Sequence, residues 1–247
     1  DPREEATERR TFKIGDPAYQ QLSLALNAQY QLGLGDLYGF AIMSKRENHS
    51  ATFFRHHANQ PANPYLQDNE ALLPQGYLPF IHSNITDKSF NIGYKVEFHN
   101  DINIDISYTS GQNKIDYTTE SSANASYGNL LNYQNDLTPT QIRSQLPRSA
   151  KAYGLSLSLQ TMNLDIQKAY EYFSISFGIE LRKDKYQVIA GEKYSYYDYD
   201  SLFGENLFEV NALAGIQGFP GISPTSAVNE QRDVASIYLE MNNEVSD

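Results

Sequence analysis

The stretch KSFNIGYKVEFHNDINIDISYT, residues 88–109, decides the fold class. Phe90, Ile92, Tyr94, Val96 and Phe98 alternate with Asn91, Gly93, Lys95 and Glu97. After His99-Asn100-Asp101, Ile102, Ile104, Ile106 and Tyr108 alternate with Asn103, Asp105 and Ser107. Successive side chains of a strand point to opposite faces. The stretch therefore reads as a β-hairpin with one apolar face and one polar, charged face. In a soluble protein the apolar face covers a core. In an outer-membrane barrel it meets lipid, and the polar face lines a wet lumen.

The same pattern recurs on both sides of this hairpin. Upstream, Leu22, Leu24, Leu26, Ala28 and Tyr30 alternate with Gln21, Ser23, Asn27 and Gln29. Gly33 to Asp36 makes a turn, and a second strand follows with Tyr38, Phe40 and Ile42 expected on its outer side. Downstream, a strand from about Lys151 has odd apolar parity at Tyr153, Leu155, Leu157 and Leu159. It becomes even at Met162, Leu164 and Ile166, which predicts a bulge or break near Gln160-Thr161. In the next strand Phe173, Ile175, Phe177, Ile179 and Leu181 point one way and Ser174, Ser176, Gly178, Glu180 and Arg182 the other. The last strand carries Ile237, Leu239 and Met241 on one face.

Connections alternate in length. The expected organisation is a loop at 1–17, a hairpin at 18–47, a long loop at 48–87, the hairpin at 88–110, and a long loop at 111–149. A third hairpin at 150–189, a long loop at 190–230 and a strand at 231–247 follow. Short turns at one end and long loops at the other are the habit of outer-membrane barrels. Three irregular loops of this size are uncommon in compact soluble domains. The reading is all-β, about seven strands of a larger transmembrane antiparallel barrel, with the apolar rows facing lipid. A soluble β-sandwich is the competing fold.

Composition bounds the function. The 247 residues carry a net charge of −11, which argues against nucleic acid as a partner. There is no Cys, so no disulfide framework or Cys-ligated metal is expected. The chain begins at Asp1-Pro-Arg-Glu and stops at Glu244-Val-Ser-Asp, so a piece of a longer or processed chain is expected.

Several segments, in order, carry a family resemblance. They are Asp-Pro-Arg-Glu at 1–4 with Arg9-Arg10, Gly15-Asp16, Leu26-Asn27-Ala28-Gln29-Tyr30 and Leu37-Tyr38-Gly39-Phe40. Further on come Asn163-Leu164-Asp165-Ile166 and Phe177-Gly178-Ile179-Glu180-Leu181-Arg182. The clearest is Gly218-Phe219-Pro220-Gly221-Ile222-Ser223-Pro224, followed by Arg232-Asp233 and Ala235-Ser236-Ile237-Tyr238-Leu239-Glu240. In these the chain resembles the barrel region, just after the plug, of TonB-dependent outer-membrane receptors. The resemblance implies a plugged barrel of about 22 strands, of which these would be the second to eighth. It implies residence in the outer membrane of a Gram-negative bacterium. Its implied partners are membrane lipid, the protein's own plug and remaining strands, the TonB complex, and a surface lipoprotein or other outer-membrane subunits.

The implied activity is import of a scarce solute: a siderophore, cobalamin, an oligosaccharide or a peptide. A small complete barrel acting as adhesin, porin or structural protein is the alternative. No catalytic signature appears, and neither an enzyme nor a cofactor is expected. Gly33-x-Gly35 is a turn without a following nucleotide-binding helix, and no nucleophile elbow is present. His56-His57 lacks the convergent partners a metal needs, so no metal site is expected. Lys95, Glu97, Asp105, Glu180 and Arg182 are expected in the lumen, pairing with one another or with the plug. Phe90, Ile92, Tyr94, Val96, Ile102, Ile104, Ile106, Phe173, Ile175, Phe177 and Ile179 are expected to face lipid. Tyr77, Phe80, Tyr194, Tyr196, Tyr197, Tyr199 and Phe219 are the ligand candidates among the loops, because an aromatic face beside a hydroxyl suits sugars, chelates and peptides.

Overall fold

A computed structural model describes residues 17–134, 137–203 and 211–243. Seven antiparallel strands form one meandering sheet in chain order. They are β1 (Ala18–Leu32), β2 (Gly35–Ala51), β3 (Phe80–Phe98), β4 (Ile102–Glu120), β5 (Ala150–Ala169), β6 (Phe173–Ile189) and β7 (Val228–Asn243). The sheet is not closed: β1 and β7 are its edges, and every residue of β1 is exposed. No described helix is long and apolar enough to cross a membrane. The sequence expectations for 1–16 and 244–247 lie outside the described residues.

The hairpins β1–β2, β3–β4 and β5–β6 close at one end. Leu32 faces Gly35 across a two-residue turn in which Gly33 has φ 61°. His99 to Asp101 joins β3 to β4, with Asp101 at φ 60°, the left-handed residue a three-residue hairpin loop needs. At the other end lie connections 52–79, 121–149 and 190–227. These hold three short helices: α1 (Ala125–Tyr133), α2 (Pro139–Gln145) and α3 (Lys193–Tyr196).

Register fixes two faces. One row runs Leu37, Tyr94, Ile106, Leu164, Ile179 and Ile237, each directly opposite the next. The rows beside it contain Phe90, Ile92, Val96, Ile102, Ile104, Phe173, Ile175 and Phe177. On the opposite face, Lys95 pairs Asp105, Asp105 pairs Asp165, and Asp165 pairs Gly178. Glu97, Glu180 and Arg182 share that polar face.

Three sequence expectations are corrected. Tyr38, Phe40 and Ile42 lie on the polar face, because they pair Gly93, Asn91 and Ser89; the apolar row of β2 is Leu37, Gly39, Ala41 and Met43. No bulge occurs at Gln160-Thr161, where register runs unbroken; the irregularity is at Tyr117/Thr118, opposite Ala152. Leu155, Leu157 and Leu159 are instead on the polar face, so the apolar side of β5 changes over without a break. Finally, β2, β3 and β4 run further than the alternation reached, leaving loops of 52–79 and 121–149 where 48–87 and 111–149 were expected. The alternation fails because their far ends carry polar residues on both faces.

The apolar face has no second layer. Phe90, Ile92, Ile106 and Phe177 are 45%, 49%, 51% and 37% exposed, and no described helix or second sheet covers them. The buried apolar cluster lies elsewhere, among the long connections. It comprises Leu66, Leu72, Tyr77, Ala123, Leu131, Ile142 and Leu146.

Candidate functional site

The three long connections interlock into a cap at the far end of the sheet. Asn124 is its centre. It caps the N-terminus of α1, its Oδ1 accepting from Tyr127 N and from Ser126 Oγ at 2.7 Å. Its Nδ2 donates to the carbonyls of Tyr194 at 3.0 Å and Tyr197 at 2.9 Å. Its backbone N–H donates to the Tyr194 hydroxyl, which donates in turn to Pro147 O at 2.8 Å. One fully buried side chain thus ties the second connection to the third. A buried amide with all its groups bonded is rigid, whereas one left unpaired is costly.

The glycine-rich segment 218–224 completes the cap. Gly218 has φ 102°, a conformation side chains resist, and a Cβ there would press on Pro79 and Thr52. Gly221 lies against buried Ser195, leaving no room for a side chain. Phe219 packs on Tyr117 and Tyr153 at ring separations of 5.0 and 5.3 Å, and its carbonyl accepts from Thr119 Oγ1 at 2.6 Å. Tyr117 and Tyr153 belong to the polar face, so the cap descends on that side.

The aromatic candidates separate by role. Tyr77 is buried; its hydroxyl donates to Ala62 O at 2.7 Å and its ring receives the Arg148 guanidinium at 5.7 Å. Burial pushes the Tyr77 and Tyr194 hydroxyls well above the usual tyrosine range, so both stay protonated donors. Tyr196, Tyr197 and Tyr199 are half-buried. Tyr199 packs on Tyr127 and Tyr197, at 4.8 and 4.9 Å, and Lys193 Nζ lies 4.1 Å above the Tyr197 ring. Phe80 is not in a loop: it is the first residue of β3, half-buried.

The cap also holds an ion pair. Arg143 reaches Asp68 at 2.9 Å and the Ala71 carbonyl at 3.2 Å. Desolvation works against the Asp68 charge. The Arg143 hydrogen bond, the Glu70 amide and the Arg143 charge outweigh it, holding the carboxyl below the usual range. Asp200 is the reverse case, raised chiefly by burial although Ala212 N and Asn129 Nδ2 bond to it.

Below the cap, the polar face carries a set of ion pairs. Arg182 lies 3.6 Å from Glu180 and 3.3 Å from Asp184, and Arg232 lies 2.6 Å from Asp184. Lys95 lies 3.2 Å from Glu97. Two tyrosines repeat one motif. Tyr38 lies across Gly93 and donates to Asp105 at 2.7 Å; Tyr238 lies across Gly178 and donates to Asp165 at 2.8 Å. A Cβ at either glycine would collide with the ring. Asp105 and Asp165 face each other in register, so two Tyr–Asp pairs meet at the centre of the sheet.

Comparison with family models, curated proteins and solved structures finds no match.

One constellation escaped the sequence: His49, His82 and Glu120, whose ligand atoms lie within 4.8 Å of one another. They are 33 and 38 positions apart in the chain, and only strand register joins them. Reading β3 as starting at Lys88 hid His82 in a loop. A strand reaching to position 80 would have placed it opposite His49.

Proposed function

We propose that this chain is part of the barrel of an outer-membrane receptor that imports a scarce solute with TonB-coupled energy. The observation that carries the reading is the bare apolar face of a single sheet whose other face is charged, paired and capped. An apolar surface of this extent is untenable in water and expected in lipid. Its dimensions fit. Phe90 to Phe98 is nine residues, against the roughly 9–11 that a tilted transmembrane strand needs. Lys45, Lys88, Gln112, Gln160 and Lys183 follow on the same face toward the cap, where lipid gives way to water. Tyr30, Phe98 and Phe173 ring its other margin, as interfacial aromatics do.

In this reading the capped end is extracellular and the short turns periplasmic. Lys95, Glu97, Asp105, Glu180 and Arg182 line the lumen, and Phe40 and Ile42 offer an apolar island against a plug. The unpaired edges of β1 and β7 favour pairing with further strands over a small complete barrel, because long free edges template aggregation. Tyr196, Tyr197 and Tyr199 keep accessible ring surface for a solute, while Tyr77 and Tyr194 hold the cap in shape.

The test is uptake of labelled siderophore, cobalamin, oligosaccharide and peptide by cells with and without the intact protein, and with and without the energy-coupling partner. Loss of uptake of one class in both deletions is expected. Unchanged uptake of all four classes would overturn the reading.

A further inference from the structure

We infer that His49, His82 and Glu120 form a surface site for a borderline divalent transition ion, of which Zn²⁺ is the representative. His49 on β2 stands directly opposite His82 on β3, and their rings stack at 4.1 Å with planes 17° apart. Glu120 ends β4 beside them. Its Oε1 lies 3.1 Å from His82 Nδ1 and its Oε2 lies 3.4 Å from His49 Nε2. Ligands about 2.0–2.2 Å from a tetrahedral Zn²⁺ stand about 3.3 Å apart. These donors therefore need only side-chain rotation to close on one ion.

Three features make this more than a chance pairing. The donors come from three adjacent strands, so backbone hydrogen bonding sets their spacing before any metal arrives. Two imidazoles and a carboxylate match the ligand preference of Zn²⁺, with Cu²⁺ binding more tightly and Ni²⁺ competing. The three side chains are 48%, 20% and 36% exposed, so an ion can enter and a water can fill the fourth position. The neighbours on that face are Lys45 and Glu47, paired at 2.7 Å, Lys114 and Asp116, also paired at 2.7 Å, and Asn84 and Thr118. Lys45 and Lys114 are thus each matched by a carboxylate, and Lys151, opposite Thr118, stands one strand further from the imidazoles.

The site lies on the face that carries the apolar rows, beyond their polar margin. It is off the polar face and independent of the transport reading. A bound ion would pin β2, β3 and β4 together where the sheet meets the cap. Each imidazole would serve the metal as a neutral donor.

The test is titration of the intact, detergent-purified protein with ZnCl₂ by calorimetry, with electron paramagnetic resonance of bound Cu²⁺ beside it. One Zn²⁺ per chain is expected at pH 7.5, with Cu²⁺ showing coupling to two nitrogens. His49→Gln and His82→Gln should each weaken Zn²⁺ at least about tenfold, and Glu120→Gln should weaken it while keeping the heat-modifiable gel mobility of a folded barrel. The double variant His56→Gln/His57→Gln should bind as before. Lack of binding to the parent protein, binding that survives His82→Gln, or binding lost in the His56/His57 variant would overturn the site.

Discussion

The cap and the sheet are stabilised in opposite ways. In the cap, Leu72, Ile142 and Ile216 are fully buried, and buried polar side chains such as Asn63 and Asn124 are hydrogen-bonded. It has the interior of a small soluble domain. In the sheet, large apolar side chains lie uncovered on one face, and Glu180, Arg182, Asp184 and Arg232 pair on the other. The difference teaches that alternation alone does not say which side of a strand is covered: the cap side is packed, and the apolar face is bare among the described residues. Within β5 the sense reverses. Met162, Leu164 and Ile166 lie on the apolar face, whereas Leu155, Leu157 and Leu159 lie on the polar face toward the cap.

The contrast can be broken most forcefully at the sheet. Ile104→Arg should destabilise the barrel by about 2–4 kcal/mol, the cost of a cation near the bilayer midplane, read as lost folded fraction in urea titrations in lipid. Asp105→Arg, one residue on, should cost much less if its face is wet. Equal penalties would erase the distinction between the faces.

The cap should break at Asn124. Asn124→Ala strands the carbonyls of Tyr194 and Tyr197 and removes the α1 cap, at about 2–3 kcal/mol. Hydrogen exchange should rise at 121–134 and 190–203 while the strands stay protected. Loss of protection in β3 and β4 as well would show that cap and sheet are one cooperative unit.

Gly178→Ala sharpens the comparison within the polar face. Overpacking against Tyr238 should cost about 1–3 kcal/mol and release the Tyr238–Asp165 bond, visible as a shifted tyrosine absorbance. Ala at Gly111, whose Cβ would meet only ordinary contacts, should be near neutral.

The smallest effect is electrostatic. Asp68 is depressed in the folded cap, so its contribution is present above its unfolded value near pH 4 and is lost as pH falls through its lower folded value. Arg143→Ala should flatten that part of the acid dependence of cap exchange. An unchanged profile would place the acid sensitivity elsewhere.

How much was legible follows from the same contrast. Residues 88–109 could be read because the apolar and polar rows keep one parity along the whole hairpin. The far ends of β2, β3 and β4 could not, since polar residues on both faces leave no period of two, and His82 and Glu120 went unseen with them. The reversal in β5 resembled a bulge because a change in which face carries the apolar residues and a change of register produce the same parity shift. The outward placing of Phe40 and Ile42 failed similarly: their pairing partners, Asn91 and Ser89, are set by register with β3, which a single strand does not reveal. The aromatic run at 194–199 was recognisable as important. Its division into a hydrogen-bonded brace, Tyr194, and rings with accessible surface depends on Asn124, 70 positions away.

The central claim is that the apolar rows meet hydrocarbon. None of the 247 residues is Cys, so spin labels can be introduced singly at positions 103 to 108 of β4 in the intact protein in bilayers. The account predicts alternation: labels at 104, 106 and 108 relaxed by oxygen and shielded from an aqueous nickel complex, those at 103, 105 and 107 the reverse. Equal access to the nickel complex at all six positions would contradict it.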